Sequence, residues 1–251
     1  MILKSVTIGT VTLAAGVPKI GVTLAGAKQS TLLGAAAQVL TSAAQIVEWR
    51  LDDYEELDNR AALVNTATQL QQILGTIPVI ATLSATATDA ATYYDTYRTL
   101  VNNRAAAAVD IDLAMTNQDD FVPLTKQMRA QGIKLILSAT YQAQVPTLAE
   151  LEQTYQTLAA AGGDVARIKV VARQPQDVLT LMAATAQARA NLTLPLIATT
   201  LGTLGRYNSV CGQLIGSAVT FGRVGRVGGT GQLPVSQLKQ TLQTLATAEG
   251  A

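Results

Sequence analysis

Residues 163 to 171 read Gly163-Asp-Val-Ala-Arg-Ile-Lys-Val-Val171, the pattern of a buried strand that follows a helix. Within this strand, Arg167 and Lys169 stand two residues apart. Side chains alternate between the two faces of a strand, so both cations point the same way. Cations on the inward face of a strand are costly unless they are paired or serve a chemical purpose. The strand is therefore central to both the fold and the function.

Short apolar runs of this kind recur at a nearly even spacing along the chain. Eight runs are predicted to be strands: Lys19–Leu24, Ile46–Leu51, Val79–Leu83, Ala108–Leu113, Lys134–Ser138, Arg167–Val171, Leu194–Thr199 and Ser217–Phe221. Segments with helical spacing of apolar residues lie between them or after the last one: Thr31–Ala44, Arg60–Leu74, Thr92–Val101, Leu148–Ala160, Pro175–Ala188 and Ser236–Ala246. Because parallel strands need a crossover connection, this alternation predicts repeated strand–helix units.

Eight such units predict an α/β protein, a (β/α)8 TIM barrel that occupies residues 1–251 as a single domain. Ser5–Leu13 precedes these units and alternates like a short hairpin with Gly9 at its turn, so we expect it to close the bottom of the barrel. An open doubly wound sheet is the rival architecture. Its glycine-rich phosphate turn is weak here, because Gly26 is followed by Ala-Lys-Gln.

The composition argues against several classes of function. A net charge of +1, without a long basic or acidic run, indicates neither nucleic acid nor a membrane surface as a partner. With Cys211 as the one cysteine and no signal-peptide pattern, we expect a cytoplasmic chain without an internal disulfide. The sequence has no histidine, the commonest metal ligand and general base. We therefore expect no metal and no cofactor.

Strand parity predicts an unusual set of charges inside the barrel. Alternation places three acids and three bases on inward faces: Glu48, Arg50, Asp110, Asp112, Arg167 and Lys169. Isolated buried charges are very costly, so such a set is tolerable when its members pair or reach water. The matched count predicts a mutually neutralising network, with Glu48 and Arg50 as a scaffold ion pair.

Several segments, in this order, carry a resemblance to a known family: Ser5-Val-Thr-Ile with Pro18-Lys-Ile-Gly-Val, Ile46-Val-Glu-Trp-Arg50, Val109-Asp-Ile-Asp112, Lys134-Leu-Ile-Leu-Ser138 before Pro146, Gly163-Asp-Val with Asp177-Val-Leu-Thr-Leu181, Gly216-Ser-Ala-Val-Thr-Phe221 and Gly231-Gln232. On these segments the chain resembles type I 3-dehydroquinate dehydratase, the (β/α)8 enzyme of the shikimate pathway. The resemblance runs nearly end to end. It implies a lyase family whose substrate is a small hydroxy-keto acid, and it implies a homodimer.

Enzymes of this family join a lysine on the sixth strand to the substrate ketone as a Schiff base. A histidine acts as general acid and base, and arginines hold the substrate carboxylate. In this chain, Arg167 stands at the position of the lysine and Thr140 at that of the histidine. Ser84 and Ser209 stand at the positions of two arginines. Thr88 replaces an acid, and Gly228 replaces the serine of the last loop. The substrate-binding residues Glu48, Arg50 and Gln232 are retained.

Each replacement removes a step of that chemistry. Arg167 cannot form an imine, because a guanidinium stays protonated in proteins. Thr140 cannot titrate near neutrality, and Ser84 and Ser209 bring no charge to a carboxylate. We therefore expect a pseudoenzyme, a dehydratase-like barrel whose usual activity is absent or very weak. Such a barrel can still bind a small hydroxy or keto acid, or a polyol.

Lys169 supports an alternative, since it lies one same-face step closer to the mouth than Arg167. A neighbouring guanidinium favours the neutral, nucleophilic amine, which would make the protein a lyase of dehydratase or aldolase type with Lys169 as its Schiff-base nucleophile. Asp110 and Asp112 favour the charged amine, and the two cations then only neutralise these acids. A third hypothesis is a structural or partner-binding protein whose salt bridges fill its own cavity.

The glycine-rich loop after the eighth apolar run is a second candidate site. Arg223 and Arg226 lie in it, and barrels often bind phosphate in this region. The alternative is a mobile lid with solvated arginines.

Overall fold

The computed structural model describes residues 4–246. The chain begins with an antiparallel hairpin of β1 (Val6–Ile8) and β2 (Val11–Leu13). Eight parallel strands follow: β3 (Lys19–Ala25), β4 (Ile46–Arg50), β5 (Val79–Thr82), β6 (Ala108–Asp112), β7 (Lys134–Tyr141), β8 (Val165–Val171), β9 (Leu196–Leu201) and β10 (Val219–Phe221). They form one sheet in the order β10-β3-β4-β5-β6-β7-β8-β9.

The two edges of this sheet meet and close it into a barrel. A parallel bridge joins Leu196 to Ser217, and the Ala218 N–H donates to the Leu196 carbonyl at 2.7 Å. Strands in chain order are neighbours, and each is connected to the next by a crossover, as the right-handed strand–helix unit requires. The predicted (β/α)8 barrel is confirmed, and the doubly wound alternative is excluded.

Helices follow the strands on the outside of the barrel. Their bounds are α1 (Gln29–Val39), α2 (Arg60–Leu74), α3 (Ala90–Asn102), α4 (Phe121–Ala130), α5 (Leu148–Ala160), α6 (Pro175–Asn191), α7 (Gly205–Val210), α8 (Gly212–Ile215) and α9 (Val235–Leu245). Side-chain caps start several of them, and Thr147 with Glu150 forms a full capping box on α5. In residues 4–246, none of these helices is both long and apolar enough to cross a membrane.

The predicted helix Thr31–Ala44 differs from α1 at its end. The helix stops at Val39, because the Ser42 hydroxyl donates to the Val39 carbonyl at 2.7 Å and accepts the Ala44 N–H at 3.1 Å. Such local bonds compete with helical ones, so the chain turns there. The apolar spacing past Val39 predicts packing but not this turn.

The hairpin closes the bottom of the barrel, as predicted. Gly9 has φ +57° at its turn, and a Cβ there would lie 2.8 Å from Pro78 Cβ, so glycine allows both the conformation and the close approach. The buried side chains of the hairpin pack against the lowest inward layer of the barrel, made of Ile46, Ile80, Ala108, Ile136, Val165 and Ile197. Strand alternation places polar residues in the layers above.

Candidate functional site

A cavity of about 720 Å³ opens at the carboxyl ends of the barrel strands. Inward-facing strand residues line it: Thr23, Ala25, Glu48, Arg50, Thr82, Asp112, Ser138, Thr140, Arg167, Lys169 and Leu201. The glycine-rich loop after β10 lines another side through Arg226 and Gln232. Active sites of (β/α)8 enzymes lie at this face of the barrel, so the cavity is the candidate site.

Arg167 is buried at this site, with 3% of its surface exposed. It donates to the Glu48 carboxylate and, at 3.1 Å, to Asp110 Oδ2. Its guanidinium carbon lies 4.8 Å from the centre of the Phe221 ring, and Gly21 leaves room for that ring, because a Cβ there would come within 2.8 Å of it. Burial alone lowers the pKa of Arg167, but the two carboxylates raise it above its ordinary value. The group is a fixed cation.

Glu48 is held by hydroxyls as well as by the guanidinium. Thr23 donates to its Oε2 at 2.8 Å, and Thr82 donates to its Oε1 at 3.2 Å. Burial raises the pKa of Glu48, yet the charge and hydrogen bond of Arg167 lower it to about 2. The Lys169 charge and the Thr23 hydroxyl act in the same direction. Glu48 is therefore a carboxylate at neutral pH, with both oxygens occupied.

Lys169 is a looser member of the same network. Its Nζ lies 3.5 Å from Asp110 Oδ2, and 14% of its side chain is exposed. Thr140 and Thr199 are its neighbours across the sheet. The predicted neutralising network is thus confirmed for Glu48, Asp110, Arg167 and Lys169.

Arg50 stands outside this network, and the predicted Glu48–Arg50 ion pair is wrong. Arg50 instead pairs with Asp53 at 2.7 Å and with Asp52 at 3.2 Å. It is the last residue of β4, so the turn that follows brings both aspartates within reach. Glu48 sits one same-face step deeper, where the guanidinium of Arg167 reaches it from across the barrel.

Asp112 also stands apart from the network. Its Oδ1 accepts the Ala114 N–H at 2.9 Å, and within residues 4–246 it forms no ion pair. Burial raises the pKa of Asp112, and the Asp110 charge adds to this shift, while the Ala114 N–H and Lys169 oppose it; the net result is a raised pKa. The cavity therefore contains one carboxylate that no cation neutralises directly.

The structure separates the positions at which the resemblance implies catalytic groups. Thr140 and Ser84 line the main cavity; the Ser84 hydroxyl shares a 2.9 Å bond with Thr86, whereas the Thr140 side chain has no partner in the described residues. Ser209 lies beside a separate cavity of about 20 Å³ and donates to the Arg206 carbonyl at 2.8 Å. Gln232 reaches both cavities, but its Oε1 accepts the Gly229 N–H at 2.7 Å.

Of the other two family positions and the two loop arginines, only one of each pair lines the cavity. Gly228 lines the cavity and Thr88 does not. Arg223 is bound to its own loop, with its Nε 3.1 Å from the Gln232 carbonyl oxygen. Arg226 is exposed, lines the cavity and forms no ion pair among residues 4–246. An anion would therefore meet Arg226, not Arg223, at this rim.

Several residues of the site are not among those predicted from the sequence. Asp52 and Asp53 directly follow the predicted second strand, and residues at this position are expected at the mouth of a (β/α)8 barrel. Thr23 and Thr82 share the inward parity of Glu48 and could have been found in the same way. Phe221 carries no sequence signal for its contact with Arg167, because that contact depends on the barrel closing. Between residues 4 and 246, no group of three or more histidine, cysteine or acidic side chains is arranged to hold a metal ion.

Comparison with known proteins gives consistent matches. The sequence model of the family described as type I 3-dehydroquinase matches residues 20–249. The chain is 29% identical over 249 residues to the 3-dehydroquinate dehydratase of Klebsiella pneumoniae, covering 97% of this chain and 99% of that one. The crystal structure of the 3-dehydroquinate dehydratase from Geobacillus kaustophilus is similar, with a TM-score of 0.90, 26% identity and 96% of each chain covered. That of the Enterococcus faecalis enzyme has a TM-score of 0.88 and 28% identity, covering 96% of this chain and 100% of that one.

Proposed function

This chain belongs to the type I 3-dehydroquinase family, and we propose that it has kept the barrel and the small-molecule cavity of the family but not the dehydratase reaction. It is a pseudoenzyme that binds a small ligand. Arg167 is the observation that carries this proposal. At the position where the resemblance implies an imine-forming lysine, the chain has a buried guanidinium between two carboxylates.

A guanidinium in this setting cannot act as a nucleophile. It would have to lose a proton, whereas Glu48 and Asp110 favour its charged form. Its removal would leave Glu48 buried without an ion-pair partner and Asp110 with Lys169 alone, which is strongly unfavourable. The side chain is therefore a structural part of the barrel.

The positions of the general base and the carboxylate clamp support the same proposal. Thr140 offers the cavity a hydroxyl, which neither accepts nor releases a proton near neutral pH. The Ser84 hydroxyl is hydrogen-bonded to that of a neighbouring threonine, and the Ser209 hydroxyl donates a hydrogen bond to a backbone carbonyl. Neither serine supplies the fixed pair of donors with which an arginine holds a carboxylate.

The test is the conversion of 3-dehydroquinate by the purified protein, followed by the ultraviolet absorbance of the conjugated product. The Klebsiella pneumoniae enzyme serves as the positive control under the same conditions. We expect no rate above that of the buffer. Dehydration at an ordinary enzymatic rate would overturn the proposal.

Lys169 supports the second candidate, a lyase of dehydratase or aldolase type. Its amine lines the cavity, and part of its side chain is accessible. Against this, the 3.5 Å contact with Asp110 engages the amine as an ion pair. If any activity on a hydroxy-keto acid is observed, Lys169→Met decides between the two candidates, since the lyase hypothesis requires that variant to be inactive.

We further propose that the protein acts in the cytoplasm as a single-domain homodimer. The lone cysteine supports the cytoplasmic location, and the family resemblance supports the dimer. Size-exclusion chromatography with light scattering tests the oligomeric state, and a monomer at micromolar concentration would contradict it.

A further inference from the structure

We propose that the mouth cavity binds an uncharged polyhydroxy compound, a sugar or a cyclic polyol, in preference to a carboxylate. This inference rests on the proposed function, since it names the ligand class of a site that has lost its chemistry. Three features of the cavity carry it: unused hydroxyl and amide groups, strand cations that are already paired, and, within residues 4–246, a lining with few apolar and no aromatic residues.

Hydroxyl and amide side chains dominate the lining. Seven of them have no hydrogen-bond partner within residues 4–246: Ser30, Thr31, Gln38, Ser138, Thr140, Gln142 and Thr230. Ser138 is 2% exposed and lines the cavity, so a ligand hydroxyl there could hydrogen-bond to a side chain that has no protein partner among the described residues. Ser138 and Thr140 lie on one inward face of β7, a same-face step apart, so they offer neighbouring groups that both donate and accept. This is the pattern that adjacent hydroxyls of a polyol require.

Charge in the cavity does not favour an anion. Arg167 and Lys169 are paired with buried acids, and Arg50 is paired with the aspartates of its own turn. In the described chain, Arg226 is the one lining cation without an ion pair, and it is exposed on the loop at the rim. Asp112 adds a half-buried carboxylate without a partner cation. A ligand carboxylate below the rim would meet occupied cations and this acid, so its desolvation would be poorly compensated.

The size and lining of the cavity fit a small polar ligand. About 720 Å³ accommodates a ligand of one or two sugar rings. Ligand pockets are usually lined by hydrophobic and aromatic side chains. Here the apolar residues of the lining are few and aliphatic: Ala25, Ala35, Leu83, Leu201 and Val227. A ligand that gains its affinity from hydrogen bonds suits this surface better than an apolar one.

The test uses matched compounds that differ in charge. D-Glucose, D-galactose and myo-inositol are the neutral probes, and D-glucuronate and D-galacturonate are the acids that match the two hexoses. Saturation-transfer NMR at pH 7 detects binding, and titration gives the dissociation constants. We expect at least one neutral probe to bind, and a hexose to bind about tenfold more tightly than its uronate, because the acid must desolvate a charge without a free partner.

Variants locate the binding in the cavity. Thr140→Val and Ser138→Ala each remove one unpartnered hydroxyl, and we expect each to weaken binding of the neutral probe by about tenfold. Thr68→Val on the outer surface of α2 is the matched control and should leave binding unchanged. Thermal unfolding of each variant establishes that it is folded, which is expected because neither cavity hydroxyl has a partner to lose.

Tighter binding of the uronates than of their hexoses would overturn the inference, and so would the absence of binding of every neutral probe up to about 50 mM. Unchanged binding in both Thr140→Val and Ser138→Ala would also overturn it. These outcomes are separate from the failure of the proposed function, which shows as turnover of 3-dehydroquinate. A protein that binds acids but does not dehydrate 3-dehydroquinate would retain the proposed function and contradict the polyol site.

Discussion

The two ends of this barrel are built by the same strands but obey different requirements. At the bottom, Ile136 and Val165 pack against the hairpin, and any well-shaped apolar side chain satisfies that layer. One same-face step higher, Ser138 and Arg167 lie side by side on the same two strands, and the charge of Arg167 needs a specific partner, Glu48. The bottom therefore specifies the fold, while the mouth can exchange one set of polar residues for another as long as its charges remain matched.

Removal of Arg167 should give the largest effect on stability. Arg167→Met leaves Glu48 buried without an ion-pair partner and Asp110 with Lys169 alone, so we expect the free energy of unfolding to fall by about 3–5 kcal/mol. Chemical denaturation at pH 7 measures it. The double variant Arg167→Met with Glu48→Gln should recover part of the loss, and a cost below about 1 kcal/mol for the single variant would contradict the network.

Truncation of an apolar side chain at the bottom of the barrel is the counterpart of the Arg167 substitution at the mouth. Ile136→Ala removes a fully buried side chain from the layer that the hairpin covers, with an expected cost of about 2–5 kcal/mol from lost burial and the cavity left behind. This cost should be the same at pH 5 and pH 8, since no titrating group is involved. A strong pH dependence in equilibrium denaturation would show that the two ends are not independent.

Acid should lower the free energy of unfolding through Glu48 at the mouth of the barrel. The pKa of Glu48 lies at about 2 in the folded chain and at an ordinary value of 4.5 when it is exposed. A lowered carboxyl pKa stabilises the fold above the unfolded value, and this contribution is lost as the pH falls from about 4.5 to about 2. We expect about 3 kcal/mol from this group. Denaturation from pH 6 to pH 2 in the parent and in Glu48→Gln checks it, and equal slopes would contradict the assignment.

Lys169 should contribute least. Lys169→Met breaks one 3.5 Å ion pair of a partly accessible side chain, while Arg167 continues to neutralise Asp110. We expect a loss of about 1 kcal/mol or less in the free energy of unfolding. A loss as large as that of Arg167→Met would mean that the amine, and not the guanidinium, holds the acids together.

The sequence predicts the bottom of the barrel better than the mouth. Strand parity assigns the inward positions of β4 and β8 correctly, and the hairpin with Gly9 is found from its local pattern, because both depend on neighbours along the chain. The partner of Glu48 is not found in this way, since Arg167 lies 119 residues away and reaches it only across the closed barrel. The pairing of Arg50 with Asp53 is local but depends on the turn that ends β4.

Trapping with borohydride after incubation with 3-dehydroquinate tests the central claim most directly, because it reduces any imine to a stable adduct that intact mass and peptide mapping reveal. The Klebsiella pneumoniae relative, treated in parallel, is the positive control. We predict no adduct on the folded protein, because Lys169, the lysine that lines the cavity, is paired with Asp110 and Arg167 is a guanidinium that forms no imine. An adduct mapped to Lys169 would contradict the account and show that the nucleophile has moved one step toward the mouth.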